Sequence, residues 1–216
     1  MTATPSDVDD KSGSPGSPNL IAGTMQQGYF GTVPASELWT GTQLSSAVGI
    51  SEGTIQFDDT PWLKFALDGK ILFRPMKAFR HSISWDAINS AGCVFGTKTV
   101  QKNGLTYKVR LMKGANKDPT GDYDGAICHY SEWNKLMLPI HIQAKNKSWA
   151  YPNNVEADVP YWGIDFTDTD LQIASGNGRA VWCQEVAESA FHRLNRGYIG
   201  VSYSTSSSPS DSGTAR

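Results

Sequence analysis

Residues 62–75 read WLKFALDGKILFRP, and this stretch decides the fold class. Trp62 and Lys64 alternate with Leu63 and Phe65, Asp68-Gly69 follows, and Ile71 to Phe73 returns. Alternation with period two marks a strand, and Asp-Gly between two apolar runs supplies the positive backbone angles of a tight hairpin turn. A second hairpin is expected at TKTVQKNGLTYKVRLM (97–112), turning at Asn103-Gly104. Two further strands are read in RAVWCQEV (179–186) and LNRGYIGVSY (194–203).

Helices are few and short. Thr42 to Val48 carries one apolar face through Leu44, Ala47 and Val48, with Gly49 as its stop. Ser84 reads as an N-cap before Trp85 and Ile88, with Gly92 as the stop. Ser131 caps SEWNKLMLPIHI (131–142), which turns Trp133, Leu136 and Met137 inward and ends or bends at Pro139. No internal repeat interrupts this order.

Composition agrees with a loop-rich chain. Its 216 residues include 21 Gly, 11 Pro, seven Trp, eight Tyr and eight Phe, while charged residues make up only 19%. The net charge of -2 argues against nucleic acid as the main partner, a role that calls for a clustered positive excess. No apolar run reaches the length of a membrane span, and the opening residues do not read as a signal peptide. Residues 1–18 are expected as a flexible arm and 204–216 as a flexible Ser-rich tail. Between them, 19–56 is expected as a small docking segment and 57–203 as the main domain.

Chemistry-bearing motifs are weak. Cys93, Cys128 and Cys183 are too few and too scattered for a disulfide framework or a zinc site, and burial is their default. His81, His129, His141 and His192 show no metal spacing, and no cofactor is expected. SGNGR (175–179) lacks the spacing of a phosphate loop and reads as a glycine turn. The groups Asp118, Asp122, Asp124 and Asp165, Asp168, Asp170 do not follow a calcium-loop pattern, so they read as solvated or capping carboxylates. A two-carboxylate hydrolase would need Asp165, Asp168, Glu185 or Glu188 to face one another across a cleft.

The aromatics divide into two sets. Trp62, Trp85, Trp133 and Trp182 lie in strand or helix patterns and read as core. Trp39, Trp149, Tyr151, Tyr161 and Trp162 lie among Pro, Asn and Gly, where an aromatic ring either pins its loop or meets a partner. The expected contact residues are Trp149, Tyr151, Trp162, Tyr198 and Tyr203.

Three blocks, SISWDAINSAG (82–92), YKVRLM…SEWNKLM (107–137) and HRLNRGYIGVS (192–202), resemble the formylglycine-generating, sulfatase-modifying family. That resemblance implies an α+β, irregular C-type-lectin-like domain with small antiparallel sheets and two short helices, preceded by a small N-terminal segment. The family's activity does not carry over, because its reactive cysteines lie toward the C-terminus and no Cys follows Cys183 here. A wider resemblance runs through GTMQQGYFGTVPASEL (23–38), PWLKFALDGKILF (61–73), HSISWDAIN (81–89), YKVRLMKGAN (107–116), SEWNKLM (131–137) and GNGRAVWCQE (176–185). These blocks are similar to a family of tailed-bacteriophage virion structural proteins. The similarity implies a non-enzymatic binding or assembly role on the particle surface. The partners it implies are other virion proteins and a host-surface glycan or protein, with a homo-oligomer, a trimer by analogy, as the assembly. Members of both families finish with a Gly-Trp/Phe-Arg-Pro strand, and SGTAR (212–216) stands where it would begin. The chain is therefore expected to lack that strand.

Overall fold

A computed structural model describes residues 10, 12–119, 125–173, 180–187 and 191–215. Both hairpins form at the expected turns. β4 (Trp62–Leu67) and β5 (Lys70–Pro75) pair with Leu67 opposite Lys70, and Asp68 and Gly69 take φ of 50° and 73°. Two successive positive φ angles match the right-handed twist of the flanking strands. β7 (Phe95–Lys102) and β8 (Leu105–Arg110) turn through Asn103 and Gly104 at 52° and 79°.

The helices start where short polar side chains stand ready to take up free amides. α1 (Gly41–Val48) opens with a capping box: Thr40 Oγ1 accepts from Gln43 N, and Gln43 Oε1 accepts from Thr40 N. Gly49 closes it at φ 83°. α2 (Trp85–Ser90) and α3 (Glu132–Met137) begin at Ser84 and Ser131, whose hydroxyls accept from Ala87 N and Asn134 N. A fourth helix, α4 (Gln143–Asn146), is a single turn.

The remaining strands are β1 (Ala22–Thr24), β2 (Gln27–Val33), β3 (Thr54–Ile55), β6 (Arg80–Ile83), β9 (Val181–Ala187), β10 (His192–Arg196), β11 (Ser204–Ser207) and β12 (Gly213–Ala215). They form a four-stranded sheet in the order β1-β2-β4-β5, a six-stranded sheet in the order β11-β10-β9-β12-β6-β3, and the β7-β8 ribbon. The molecule is thus α+β with small, largely antiparallel sheets. Within the four-stranded sheet, β4 is buried on both faces. Trp62 and Phe73 join a core with Val33, Trp85, Ile88 and Trp182, while Leu63, Phe65 and Leu72 join a second core around Trp133, Leu136 and Met137. The four tryptophans assigned to the interior are all buried.

Four expectations change. First, 19–56 is not a separate docking segment. β2 pairs with β4, and Leu38, Trp39, Leu44 and Val48 share the first core with Trp62, Phe79 and Ile83. Second, the described part of 1–18 is anchored. Asp10 and Lys64 form an ion pair at 2.8 Å with both side chains buried, and Lys64 Nζ also donates to Ser17 O at 2.9 Å. Burial works against the charge on Asp10, yet hydrogen bonds from Lys64, Ser12 and Ser14 hold its carboxyl down to about 2. Residues 1–9 and 11 lie outside the described residues.

Third, 204–216 is not a free tail. β11 pairs antiparallel with β10, and β12 lies between β6 and β9, antiparallel to the first and parallel to the second. β12 thus takes an interior place in the six-stranded sheet. Fourth, the strand expected to run through Tyr203 stops at Arg196. Gly197 takes φ 74° and reverses the chain, and Gly197 N donates to Tyr203 O at 3.0 Å to close the turn into β11.

Candidate functional site

The turn between β10 and β11 and the loop around Tyr151 come together on one face. The Tyr151 and Tyr203 rings stand edge to face with centroids 4.6 Å apart, and Tyr198 joins them at 5.9 Å from Tyr203. Tyr198 and its neighbour Ile199 are 41% and 45% exposed, while Tyr151 and Tyr203 are half-buried. Three of the five expected contact residues therefore form one aromatic surface. Edge-to-face rings hold one another in place, so they present area to a partner at a small cost in side-chain freedom.

A buried polar network fixes the two loops. Arg196, fully buried at the end of β10, donates to Gly114 O at 2.6 Å, Asn134 Oδ1 at 2.7 Å and Tyr203 O at 3.2 Å. Asn134 passes the connection on, with Nδ2 donating to Asn154 O at 2.9 Å and to Glu156 Oε2 at 2.7 Å. Asn154 Nδ2 then donates to Ser202 O and Ser204 Oγ at 3.2 and 2.8 Å, and Tyr151 N donates to Ser202 Oγ at 3.3 Å. Trp133 Nε1 donates to Val201 O at 2.8 Å and Val201 N donates to Asp168 Oδ1 at 3.0 Å, which holds the turn from its other side. The bonds among Arg196, Gly114, Asn134, Asn154, Glu156, Ser202 and Ser204, and that from Trp133 to Val201, are buried, so removing one partner strands another. Arg196 was legible only as part of the HRLNRGYIGVS block (192–202). Asn134 and Asn154 carried no sequence signal, since an Asn in a helix or a loop is ordinarily solvated.

Trp149 and Trp162 lie elsewhere in the packing. Both are half-buried against the second core, Trp162 N donates to Pro139 O at 3.0 Å, and each ring pins its own loop. Trp39 is buried edge-on against Tyr107 at 5.0 Å. Tyr161 is exposed, with its hydroxyl donating to Asp165 Oδ1 at 2.6 Å.

The carboxylates named for hydrolysis occupy different surroundings. Asp165 accepts from Tyr161, Asp168 accepts from Val201 N and stands 3.3 Å from His141 Nε2, and Glu185 is buried and accepts from Gly114 N at 2.9 Å. Burial pushes the Glu185 carboxyl up to about 7. Asp170 caps its own turn by accepting from the amide and hydroxyl of Thr167, and Asp118 accepts from Val186 N. Glu188, Asp122, Asp124 and the SGNGR turn lie outside the described residues. The three cysteines are buried, and none forms a disulfide among the described residues. Burial pushes the Cys93 thiol up to about 11 and raises that of Cys183 as well. Among the described residues no three His, Cys, Asp or Glu side chains gather as metal ligands, and no helix is long and apolar enough to cross a membrane. Compared with known proteins, the chain matches no family model, no curated protein and no solved structure.

Proposed function

We propose that the chain is a non-enzymatic structural protein of a tailed-bacteriophage virion. In this reading its body is C-type-lectin-like, it assembles as a homo-oligomer on the particle surface, and it binds a virion protein or a host-surface ligand through Tyr151, Tyr198 and Tyr203. The observation that carries the binding role is the convergence of these rings on two loops locked by the Arg196–Asn134–Asn154 network. A rigid aromatic patch of this kind is what an interface hot spot requires. The setting rests on the resemblance of the sequence blocks to virion structural proteins. The separate structural tasks of Asp165, Asp168 and Glu185 support a binding role over a two-carboxylate reaction.

Two measurements test this reading. Antibody raised against the chain should label tailed particles in electron micrographs, and particles that stay unlabelled overturn the virion assignment. A Tyr198→Ser, Tyr203→Ser double variant should adsorb to cells or to partner particles at least about tenfold more weakly, with melting temperature within a few degrees of the parent. Unchanged adsorption overturns the tyrosine surface.

A further inference from the structure

A cleft of about 610 Å³ opens between the β4–β5 hairpin and the β7–β8 ribbon, within the ~300–1,000 Å³ range of sites that take small organic ligands. Its two walls are strands that stand at sheet edges among the described residues: β5 from Lys70 to Pro75, paired with β4, and β8 from Thr106 to Arg110, paired with β7. The Phe73 and Tyr107 rings meet across it with centroids 6.1 Å apart, and Trp39 stands edge-on to Tyr107. These rings bridge the two edges and close the lane that an added peptide strand would need, because each new strand requires about 4.8 Å on either side of its backbone.

The charge on the walls is one-sided. Lys70, Arg74, Arg80, Lys108 and Arg110 line the cleft against a single carboxylate, Glu132, which Arg110 already engages at 2.9 Å. Arg80 is occupied by the backbone carbonyls of Ser51 and Gly53. Arg74 is different. It is 5% exposed, its Nη1 rests 3.2 Å from Met137 Sδ, and its guanidinium lies 4.7 Å from the Trp133 ring. Among the described residues Arg74 Nη2 has no hydrogen-bond partner, and the Tyr107 hydroxyl, also buried on the cleft wall, has none either. Burial pushes the Arg74 guanidinium down to about 9, so it remains a cation at neutral pH. A thioether and an indole face are poor substitutes for an oxyanion, since a buried cation is stabilised chiefly by an anionic hydrogen-bonding partner.

We propose that this cleft binds a small amphipathic anion, a carboxylate on an aliphatic or aromatic body, with the head on Arg74 and the body against Leu72, Met112 and Leu136, the apolar lining on the same side of β5 as Arg74. The cleft lining contains none of Tyr151, Tyr198 and Tyr203, though Trp133 lies under Arg74 and also donates to the turn that carries them.

Titration calorimetry on the full chain with octanoate and with octan-1-ol, its uncharged counterpart, tests this. Octanoate should bind one to one and saturably, with octanol at least tenfold weaker. Arg74→Met should weaken octanoate at least tenfold without changing octanol, and Arg74→Lys should recover part of the loss. Equal affinity for acid and alcohol, absence of saturable octanoate binding, or full octanoate affinity in Arg74→Met overturns the proposal. The comparison of acid with alcohol on the unaltered protein decides the matter alone if Arg74→Met fails to fold.

Discussion

Glu185 couples the fold to pH through a single side chain. Its carboxyl ionises near 4.5 in the unfolded chain and is pushed up to about 7 by burial in the folded one. The folded state therefore holds a proton that the unfolded state has released between those values. Its stabilising contribution is complete below about pH 4.5 and is lost as pH rises through about 7, a loss on the order of 3 kcal/mol. Glu185→Gln keeps an oxygen to accept from Gly114 N and removes the titration. In urea denaturation from pH 4.5 to 8.5, the variant should gain on the parent by about that amount as pH rises. Parallel curves would mean that the Gly114 hydrogen bond keeps the carboxylate ionised in place. Lys64 marks where reading at this scale stops. Nothing in the alternation of Trp62 and Lys64 with Leu63 and Phe65 says that a lysine there is buried, yet β4 is covered on both faces and Asp10 folds back over it. Period two says which residues share a face and nothing about what covers that face.

Among the elements, the two hairpins and α1, α2 and α3 were legible because their causes are local: Asp68-Gly69 and Asn103-Gly104 set the turns, Gly49 stops α1, and Ser84 and Ser131 satisfy amides three residues on. β11 and β12 were not legible. STSS and GTA show no apolar alternation, and their order comes from strands distant in the chain. β12 lies against the Trp182 indole at Gly213, where an added Cβ would run into the ring, whose Nε1 donates to Ile83 O at 2.9 Å. Gly213→Ala should therefore cost about 1–3 kcal/mol through overpacking and backbone displacement. Hydrogen exchange should locate the effect, with faster exchange in β6 and β9, the two strands that β12 joins, and little change in the β7–β8 ribbon. Unaltered protection in β6 and β9 would show that β12 does not bind that sheet together.

At the scale of the whole molecule, parts far apart in sequence complete one another. The aromatic loops were legible one by one from their Trp and Tyr content. Their convergence was not, because it depends on Arg196, Asn134 and Asn154 meeting from three different elements. The N-terminal third behaves the same way. β2 supplies β4 with its partner along Gln27 to Val33, Tyr29 enters the second core, and Trp39, Leu44 and Val48 enter the first. A fragment of residues 57–216 would leave one edge of β4 unpaired and open both cores to water, so neither face of the central sheet would be sealed. Such a fragment should give a poorly dispersed amide spectrum and no cooperative thermal transition, while the full chain gives both. Adding residues 12–56 as a separate peptide should restore part of the native signal, as it returns β2 to its place. A fragment that folds by itself with native-like dispersion would show that the boundary near residue 56 separates two independent units after all.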